Sequence, residues 1–116
     1  IGPPKSLQSY LNIPAILSAA HITQADAIHP GYGFLSENSG FADMCSKFNL
    51  QFIGPSVNCI EKMGSKIGSK IIAKAAGVPT LEPIYVKELS DEHILTAVRK
   101  MGFPVLIKAS AGGGGR

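Results

Sequence analysis

The last fourteen residues, 103–116, constrain the fold of this chain more than any other stretch. They read FPVLIKASAGGGGR, in which the apolar run 104–107 ends at Lys108 and leads, through three small residues, into four glycines. Glycines leave backbone N–H groups unobstructed, so a polyphosphate can approach them closely, and a nearby lysine adds a point charge. We therefore predict a strand that delivers Lys108 to a phosphate-binding loop at Gly112, Gly113, Gly114 and Gly115.

Other interpretations of this stretch stay open. Four glycines also suit a flexible tail, because each glycine loses much backbone entropy when it is ordered. Lys108 could extend its ammonium group to solvent instead of meeting an anion. The order of strand, lysine and glycine loop favours phosphate, although it matches neither G-x-x-x-x-G-K-[ST] nor G-x-G-x-x-G.

The first sixty residues alternate between helix and strand patterns. Apolar spacing predicts a helix over 13–22 with Asn12 as its N-cap, and a second helix that begins at Asn38 or Ser39. Short strands are predicted at 25–29 and 51–53. This alternation is typical of an α/β fold with a parallel sheet. On the second helix we expect one buried face, made of Phe41, Ala42, Cys45 and Phe48.

Ligands of a parallel α/β sheet bind at the carboxyl ends of its strands. Residues 29–38, HPGYGFLSEN, directly follow the first predicted strand, so we expect this loop at the functional edge. His29 is expected to be a hydrogen-bonded structural residue rather than a catalyst. For Glu37, holding the loop through backbone N–H groups is favoured over binding a substrate.

The second half of the chain predicts helices after Ser56, over 66–76 and after Ser90, and an edge strand over 81–86. Gly64-Ser65 interrupts the helical pattern, and we divide the chain there into domains 1–62 and 63–116. Lys66 stands at a helix start, where a cation opposes the helix dipole, so either a phosphate partner or ordinary solvation would account for it. The remaining helix lysines, Lys62, Lys70 and Lys74, are expected to be solvated.

Composition excludes several classes of function. The net charge is only +3, the basic residues are scattered and there is no tryptophan, so we expect no nucleic-acid binding. No apolar stretch is long enough for a membrane span. Cys45 and Cys59 stand far apart, which predicts free thiols in a reducing, cytoplasmic setting (mitochondrial or plastid in a eukaryote). Both ends of the chain are expected to be cuts.

Six motifs together resemble the biotin carboxylases, the ATP-grasp components of acetyl-CoA, propionyl-CoA, methylcrotonyl-CoA and pyruvate carboxylases. They are IGPPKSLQSYLNIPAI, AIHPGYGFLSEN, FIGPS, KMGSK, AAGVP and FPVLIKASAGGGGR, in the family's order and spacing and over almost the whole chain. The resemblance implies an α/β fold. Residues 1–62 would be the later part of a Rossmann-like pre-ATP-grasp domain, and residues 63–116 the start of an ATP-grasp domain.

The resemblance also implies site residues. Lys66 and Lys108 would contact ATP, the loop glycines 112–115 would bind its phosphates, and Tyr32 and Gly33 would lie beside biotin. The implied reaction is ATP-dependent carboxylation of biotin with bicarbonate through carboxyphosphate, with Mg²⁺ or Mn²⁺ as the metal. The implied partners are a biotin carboxyl carrier protein or domain and a second copy of the enzyme.

This sequence departs from the family in two places. Ser65 stands where the family usually has Asp, and Leu81-Glu82-Pro83 replaces a Pro-Gly turn. The family's metal ligands and catalytic arginine would follow Arg116, so we assign no catalytic or metal residue here and expect the 116 residues alone to be inactive. Two alternatives stay open: a truncated non-catalytic interaction or dimerisation module, and another ATP-grasp ligase.

Overall fold

A computed structural model describes residues 1–109, and the chain divides into two compact units. The first unit is Ile1–Gly64 and the second begins at Ser65. The predicted phosphate loop, Gly112 to Gly115, lies outside the described residues.

The first unit is the α/β part of the chain, as its sequence pattern predicts. After a short 3₁₀ helix at Ser6–Gln8, its elements are α1 (Ile13–Ile22), β1 (Ala27–Ile28), α2 (Ser39–Lys47), β2 (Gln51–Phe52) and α3 (Val57–Gly64). The two strands are parallel, with Ala27 opposite Gln51 and Ile28 opposite Phe52. Helices packed on a parallel pair are the arrangement expected for an α/β fold.

Buried apolar side chains of the helices and strands form one core in this unit. Its most deeply buried members are on α2, where Phe41 is 2% exposed and Cys45 is fully buried. The Phe41 ring meets the Phe52 ring edge-on, with centroids 6.0 Å apart, which is a favourable aromatic geometry. The rest of the core is Leu17, Ala20, Leu35, Ala42, Leu50 and Ile60.

Local capping signals are confirmed in both helices that precede the strands. The Asn12 side chain accepts a hydrogen bond from the Ala15 N–H, and the Asn38 side chain accepts one from the Phe41 N–H. These bonds satisfy backbone donors that the first helical turn leaves unpaired. The expected burial of Phe48 is wrong: this residue is the C-cap that follows the last residue of α2, and it is 56% exposed.

The second unit contains α4 (Lys66–Ala75) and α5 (Asp91–Met101). Ser65 caps α4 by accepting a hydrogen bond from the Gly68 N–H at 3.0 Å. Ser90 caps α5 in the same way, as predicted. No helix among residues 1–109 combines the length and the apolar character that crossing a membrane requires.

The predicted strands over 81–86 and 104–107 are not strands in the structure. Both predictions rested on apolar and β-branched composition, whereas a strand exists only where a neighbouring backbone completes its hydrogen bonds. Neither segment finds such a neighbour within residues 1–109. Consequently Leu81, Leu106 and Ile107 are 85%, 78% and 90% exposed.

Candidate functional site

The carboxyl ends of β1 and β2 form the first candidate site, which lies within the first unit. The Ile53 N–H donates to the Ile28 carbonyl at 2.9 Å, which extends the parallel ladder one step beyond the strands. Since parallel strands end at the same edge, the loop 29–38 and the turn after Ile53 leave from that edge together. The predicted position of HPGYGFLSEN therefore agrees with the sheet topology.

The loop begins with a tight turn around His29. The Gly31 N–H donates to His29 Nδ1 at 3.0 Å, so His29 has the structural role predicted for it. Gly31 and Gly33 have φ values of 66° and 72°, the left-handed region in which a side chain would be strained. The two glycines of this motif are thus required by the backbone path itself.

Backbone hydrogen bonds and one buried side chain hold the rest of the loop. The Ser36 N–H donates to the Gly33 carbonyl at 2.9 Å and the Asn38 N–H to the Leu35 carbonyl at 3.0 Å. Leu35 is only 6% exposed and fixes the loop to the core. The expectation that the Glu37 carboxylate holds this loop is not met, because Glu37 is exposed and backbone groups supply these bonds.

Tyr32 and Gly33 border open space at the tip of this loop. Tyr32 is 94% exposed, and an ideal Cβ placed on Gly33 would meet no atom within 4 Å. Two residues further on, the Phe34 ring stacks on Tyr10, with centroids 5.0 Å apart and planes 28° from parallel. Tyr10 belongs neither to this loop nor to a helix, so no periodic pattern could have identified it as a partner of Phe34.

Lys66 and the segment after the apolar run 104–107 form a second candidate site, which lies within the second unit. Lys66 Nζ donates to the Ala109 carbonyl at 3.0 Å. Lys66 is half-buried, whereas the adjacent Lys108 is exposed. The structure thus brings Lys66 to the backbone beside Lys108, the other lysine predicted to bind phosphate.

Two further lysines follow Lys66 at four-residue intervals and so share its face of α4. Lys70 Nζ donates to the Leu81 carbonyl at 3.3 Å, and Lys74 pairs with the Glu82 carboxylate. The hydrogen bond to Glu82, and then its charge, raise the pKa of Lys74, and the same bond and the Lys74 charge lower the pKa of Glu82. Lys74 is solvated as expected, and Lys70 is half-buried; in addition, both contact the segment after α4, which was not predicted.

The chemistry of the two candidate sites differs. The half-buried Lys66 and the exposed Lys108 suit a polyanion. A lysine ammonium group is a compact point charge, so it can neutralise an anion from many directions. The open backbone at Gly33 and the exposed ring of Tyr32 suit a planar, uncharged group instead. Within residues 1–109 there is no group of three or more His, Cys, Asp or Glu placed to hold a metal ion.

Two protein-family models match this chain, and the division between them lies near the division between the two structural units. Residues 1–60 match the family model "Biotin carboxylase, N-terminal domain". Residues 65–116 match the model "Carbamoyl-phosphate synthase L chain, ATP binding domain". The first match covers more than half of the chain.

Individual relatives agree with these matches. The chain is 49% identical over 117 residues to the biotin carboxylase of Pseudomonas aeruginosa, which aligns with all of this chain and 26% of that protein. The chain therefore spans about a quarter of the length of such relatives.

Solved structures give the same result. The biotin carboxylase domain of Hydrogenobacter thermophilus 2-oxoglutarate carboxylase, a dimer in complex with MgADP, ADP and bicarbonate, superposes with a TM-score of 0.84 at 46% identity, over 98% of this chain and 25% of that one. The biotin carboxylase of Campylobacter jejuni, in a β,γ-ATP complex, gives a TM-score of 0.83 at 49% identity over 93% of this chain and 24% of its own.

Proposed function

The chain belongs to the biotin carboxylase family, and from that membership we propose that it forms nucleotide- and biotin-facing parts of an ATP-dependent biotin carboxylase. One observation supports this most strongly. Lys66 reaches the Ala109 carbonyl, so the two lysine motifs at opposite ends of the second unit meet at one place. A nucleotide bound there would have two cations within its reach.

In this proposal Lys66 and Lys108 neutralise charge on the phosphates of ATP. Backbone N–H groups of Gly112 to Gly115 would add hydrogen bonds that cost little reorganisation when charge moves onto the transferring phosphoryl group. Lys66 is already half-buried and hydrogen-bonded, which reduces the side-chain entropy lost when it meets a ligand. Lys108 is exposed and free to approach from solvent.

Tyr32 and Gly33 would receive the biotin ring system at the edge of the β1–β2 sheet. The positive φ of Gly33 and the open space around it allow a ligand to approach the backbone closely. Biotin is the carrier-bound substrate, and its ring nitrogen takes the carboxyl group from activated bicarbonate. The proposed partners are therefore a biotin carboxyl carrier protein or domain and, as in the dimer of the H. thermophilus relative, a second copy.

The metal has no proposed ligands in this chain. MgADP is present in the H. thermophilus structure, and magnesium would supply charge neutralisation of the phosphates in the complete reaction. The described residues do not fit a metal site, so no residue of this chain is given a role through the metal.

We also propose that the boundary between the pre-ATP-grasp and ATP-grasp domains lies between residues 62 and 63.

A chimera tests the proposed function. This chain replaces the matching segment of the P. aeruginosa biotin carboxylase, and phosphate release is measured with MgATP, bicarbonate and free biotin. We expect phosphate release that requires bicarbonate and increases with biotin. A chimera that melts like the parent enzyme and binds ATP but releases no phosphate would contradict the proposal and favour a non-catalytic module.

A further inference from the structure

The Tyr10–Phe34 stack connects two stretches of the first unit that are distant in sequence. Tyr10 follows the short 3₁₀ helix at Ser6–Gln8, and Phe34 lies in the loop after β1. Tyr10 and Phe34 are 54% and 60% exposed, so the contact lies at the surface and not in the core. Its centroid distance of 5.0 Å is within the range of favourable aromatic pairs.

Phe34 occupies a backbone conformation that does not suit its side chain. Its φ is 43°, in the left-handed region that residues with a Cβ rarely adopt. The adjacent Gly33 has a φ of 72°, so two consecutive residues turn the chain in this sense. Such a conformation persists only where surrounding contacts hold it, and it is found most often at functional sites.

Three contacts hold this turn. One is the hydrogen bond from the Ser36 N–H to the Gly33 carbonyl. Another is the buried Leu35 side chain, which fixes the next residue of the loop to the core. The third is the Tyr10 ring, which is the aromatic partner of Phe34. The preceding Tyr32 is 94% exposed and contributes little to holding the loop. Of these three contacts, the stack on Tyr10 is the one made by the Phe34 side chain itself.

Hydrogen bonds of the neighbouring residues fix the backbone around Tyr10. The neighbouring Ser9 is 2% exposed, and its hydroxyl donates to the Lys5 carbonyl at 3.0 Å. The Leu11 N–H donates to the Ser6 carbonyl at 2.8 Å, and the Asn12 N–H donates to the Ser9 carbonyl at 2.9 Å. Because Asn12 also caps α1, the backbone around Tyr10 is connected directly to a core helix.

We propose that Tyr10 is a positioning residue for the biotin-facing loop: its stack on Phe34 fixes the Gly33–Phe34 turn and thereby the placement of Tyr32 and Gly33. This inference rests on the proposed function of Tyr32 and Gly33. It adds a residue outside the HPGYGFLSEN motif, acting through Phe34 and not through contact with the substrate. A merely structural role for the stack would affect stability but not the affinity for one substrate.

The chimera described above gives the functional test. Tyr10→Ala removes the ring, Tyr10→Phe keeps it, and Leu7→Ala is the matched control because Leu7 is an exposed apolar residue of the same segment. We expect Tyr10→Ala to raise the KM for biotin about 3- to 10-fold, the factor that loss of one aromatic pair produces. The KM for ATP should stay unchanged, and Tyr10→Phe and Leu7→Ala should both stay within about twofold of the parent, less than the loss of one aromatic pair.

An unchanged KM for biotin in Tyr10→Ala, or equal changes in the KM values for biotin and ATP, would overturn the inference. A second experiment on the 116-residue chain does not depend on activity. In ¹H–¹⁵N spectra, Tyr10→Ala should shift the amide signals of Tyr32, Gly33 and Phe34, whereas Tyr10→Phe should leave them near their original positions. Shifts confined to residues 5–12 would contradict the positioning role. An inactive parent chimera would count against the proposed function, and these spectra would then decide the role of Tyr10.

Discussion

The ammonium nitrogen of Lys66 lies 3.0 Å from the carbonyl oxygen of Ala109, although the two residues are 43 positions apart in the sequence. The contact joins the first residue of α4 to the backbone that immediately follows Lys108. A lysine at a helix N-terminus is normally unfavourable because its charge opposes the helix dipole. The partner carbonyl gives the Lys66 ammonium group a hydrogen bond in that position, and a bound phosphate would give it an opposite charge.

The first prediction concerns Lys66. In the chimera, Lys66→Ala should lower kcat/KM for ATP about tenfold or more, because a charge-assisted contact to the phosphates is lost. Lys66→Arg should keep part of the activity, since it retains the charge but not the compact ammonium group. Lys62→Ala is the control, because it removes an exposed lysine of α3 from outside the site. Equal losses in Lys66→Ala and Lys62→Ala would show that Lys66 has no special role.

The second prediction concerns the cap of α4. Ser65→Ala should reduce the free energy of unfolding by about 1 kcal/mol, because the Gly68 N–H loses its acceptor. Ser65→Asp should retain the cap and add a negative charge where the helix dipole favours it. Ser69→Ala, in the interior of the same helix, is the control. The denaturation midpoints should rank Ser65→Asp at or above the original chain, and Ser65→Ala below it. A Ser65→Ala variant as stable as the Ser69→Ala control would contradict the capping role.

The third prediction concerns the pH dependence of the Lys74–Glu82 pair. The pKa of Glu82 is lowered from 4.5, so its contribution to stability is present above that value and is lost as the pH falls through the folded-state pKa. The pKa of Lys74 is raised from 10.5, so the contribution persists below that value and is lost as the pH rises through the folded-state pKa. Both side chains are largely exposed, so solvent and salt screen the pair.

Thermal denaturation of Glu82→Gln against pH measures this pair. We expect a Tm lower by less than about 2 °C at neutral pH and low salt, a difference that disappears in acid and at high salt. Glu88→Gln, another exposed carboxylate of the second unit, should show no such pattern. A Glu82→Gln effect that is the same at pH 3 and pH 7 would exclude the ion pair as its cause.

The fourth prediction concerns the two free cysteines. Burial raises the pKa of the Cys45 thiol, and Cys45 is fully enclosed in the core, whereas Cys59 is exposed on α3. Since the thiolate is the reactive form, a thiol reagent should modify one cysteine quickly and the other only after denaturant is added. Cys59→Ser should abolish the fast reaction. Equal rates for both thiols in the native chain would contradict the described core.

The parts of the fold that could be predicted from the sequence are those that depend on neighbouring residues, above all the helix caps. Asn12, Asn38, Ser65 and Ser90 cap helices through contacts three residues away, so their roles can be inferred from short stretches of sequence. The parallel pair of strands followed from the alternation of helix and strand patterns. The segments 81–86 and 104–107 were mistaken for strands because β propensity describes a side chain's fit to a sheet and cannot supply the neighbouring strand.

The site was predictable only in part, for a related reason. Sequence motifs identified Tyr32, Gly33, Lys66 and Lys108 as candidates, and their binding roles remain predictions. The contacts that organise them are long-range. Lys66 meets Ala109 and Tyr10 meets Phe34 only after the chain has folded, and no periodicity relates the members of either pair. The contacts of Lys70 and Lys74 were not predicted, because their partners, Leu81 and Glu82, lie beyond the end of α4.

The most direct test of the central claim is kcat/KM for ATP in the chimera with and without Lys108. Lys108 is exposed, so Lys108→Ala should leave the melting temperature within about 1 °C, as expected for a surface substitution. We expect the same variant to lose at least about 100-fold in biotin-dependent ATP cleavage, because charge on the transferring phosphoryl group is no longer neutralised. A Lys108→Ala chimera that folds normally and keeps the parent's kcat/KM for ATP would contradict the account.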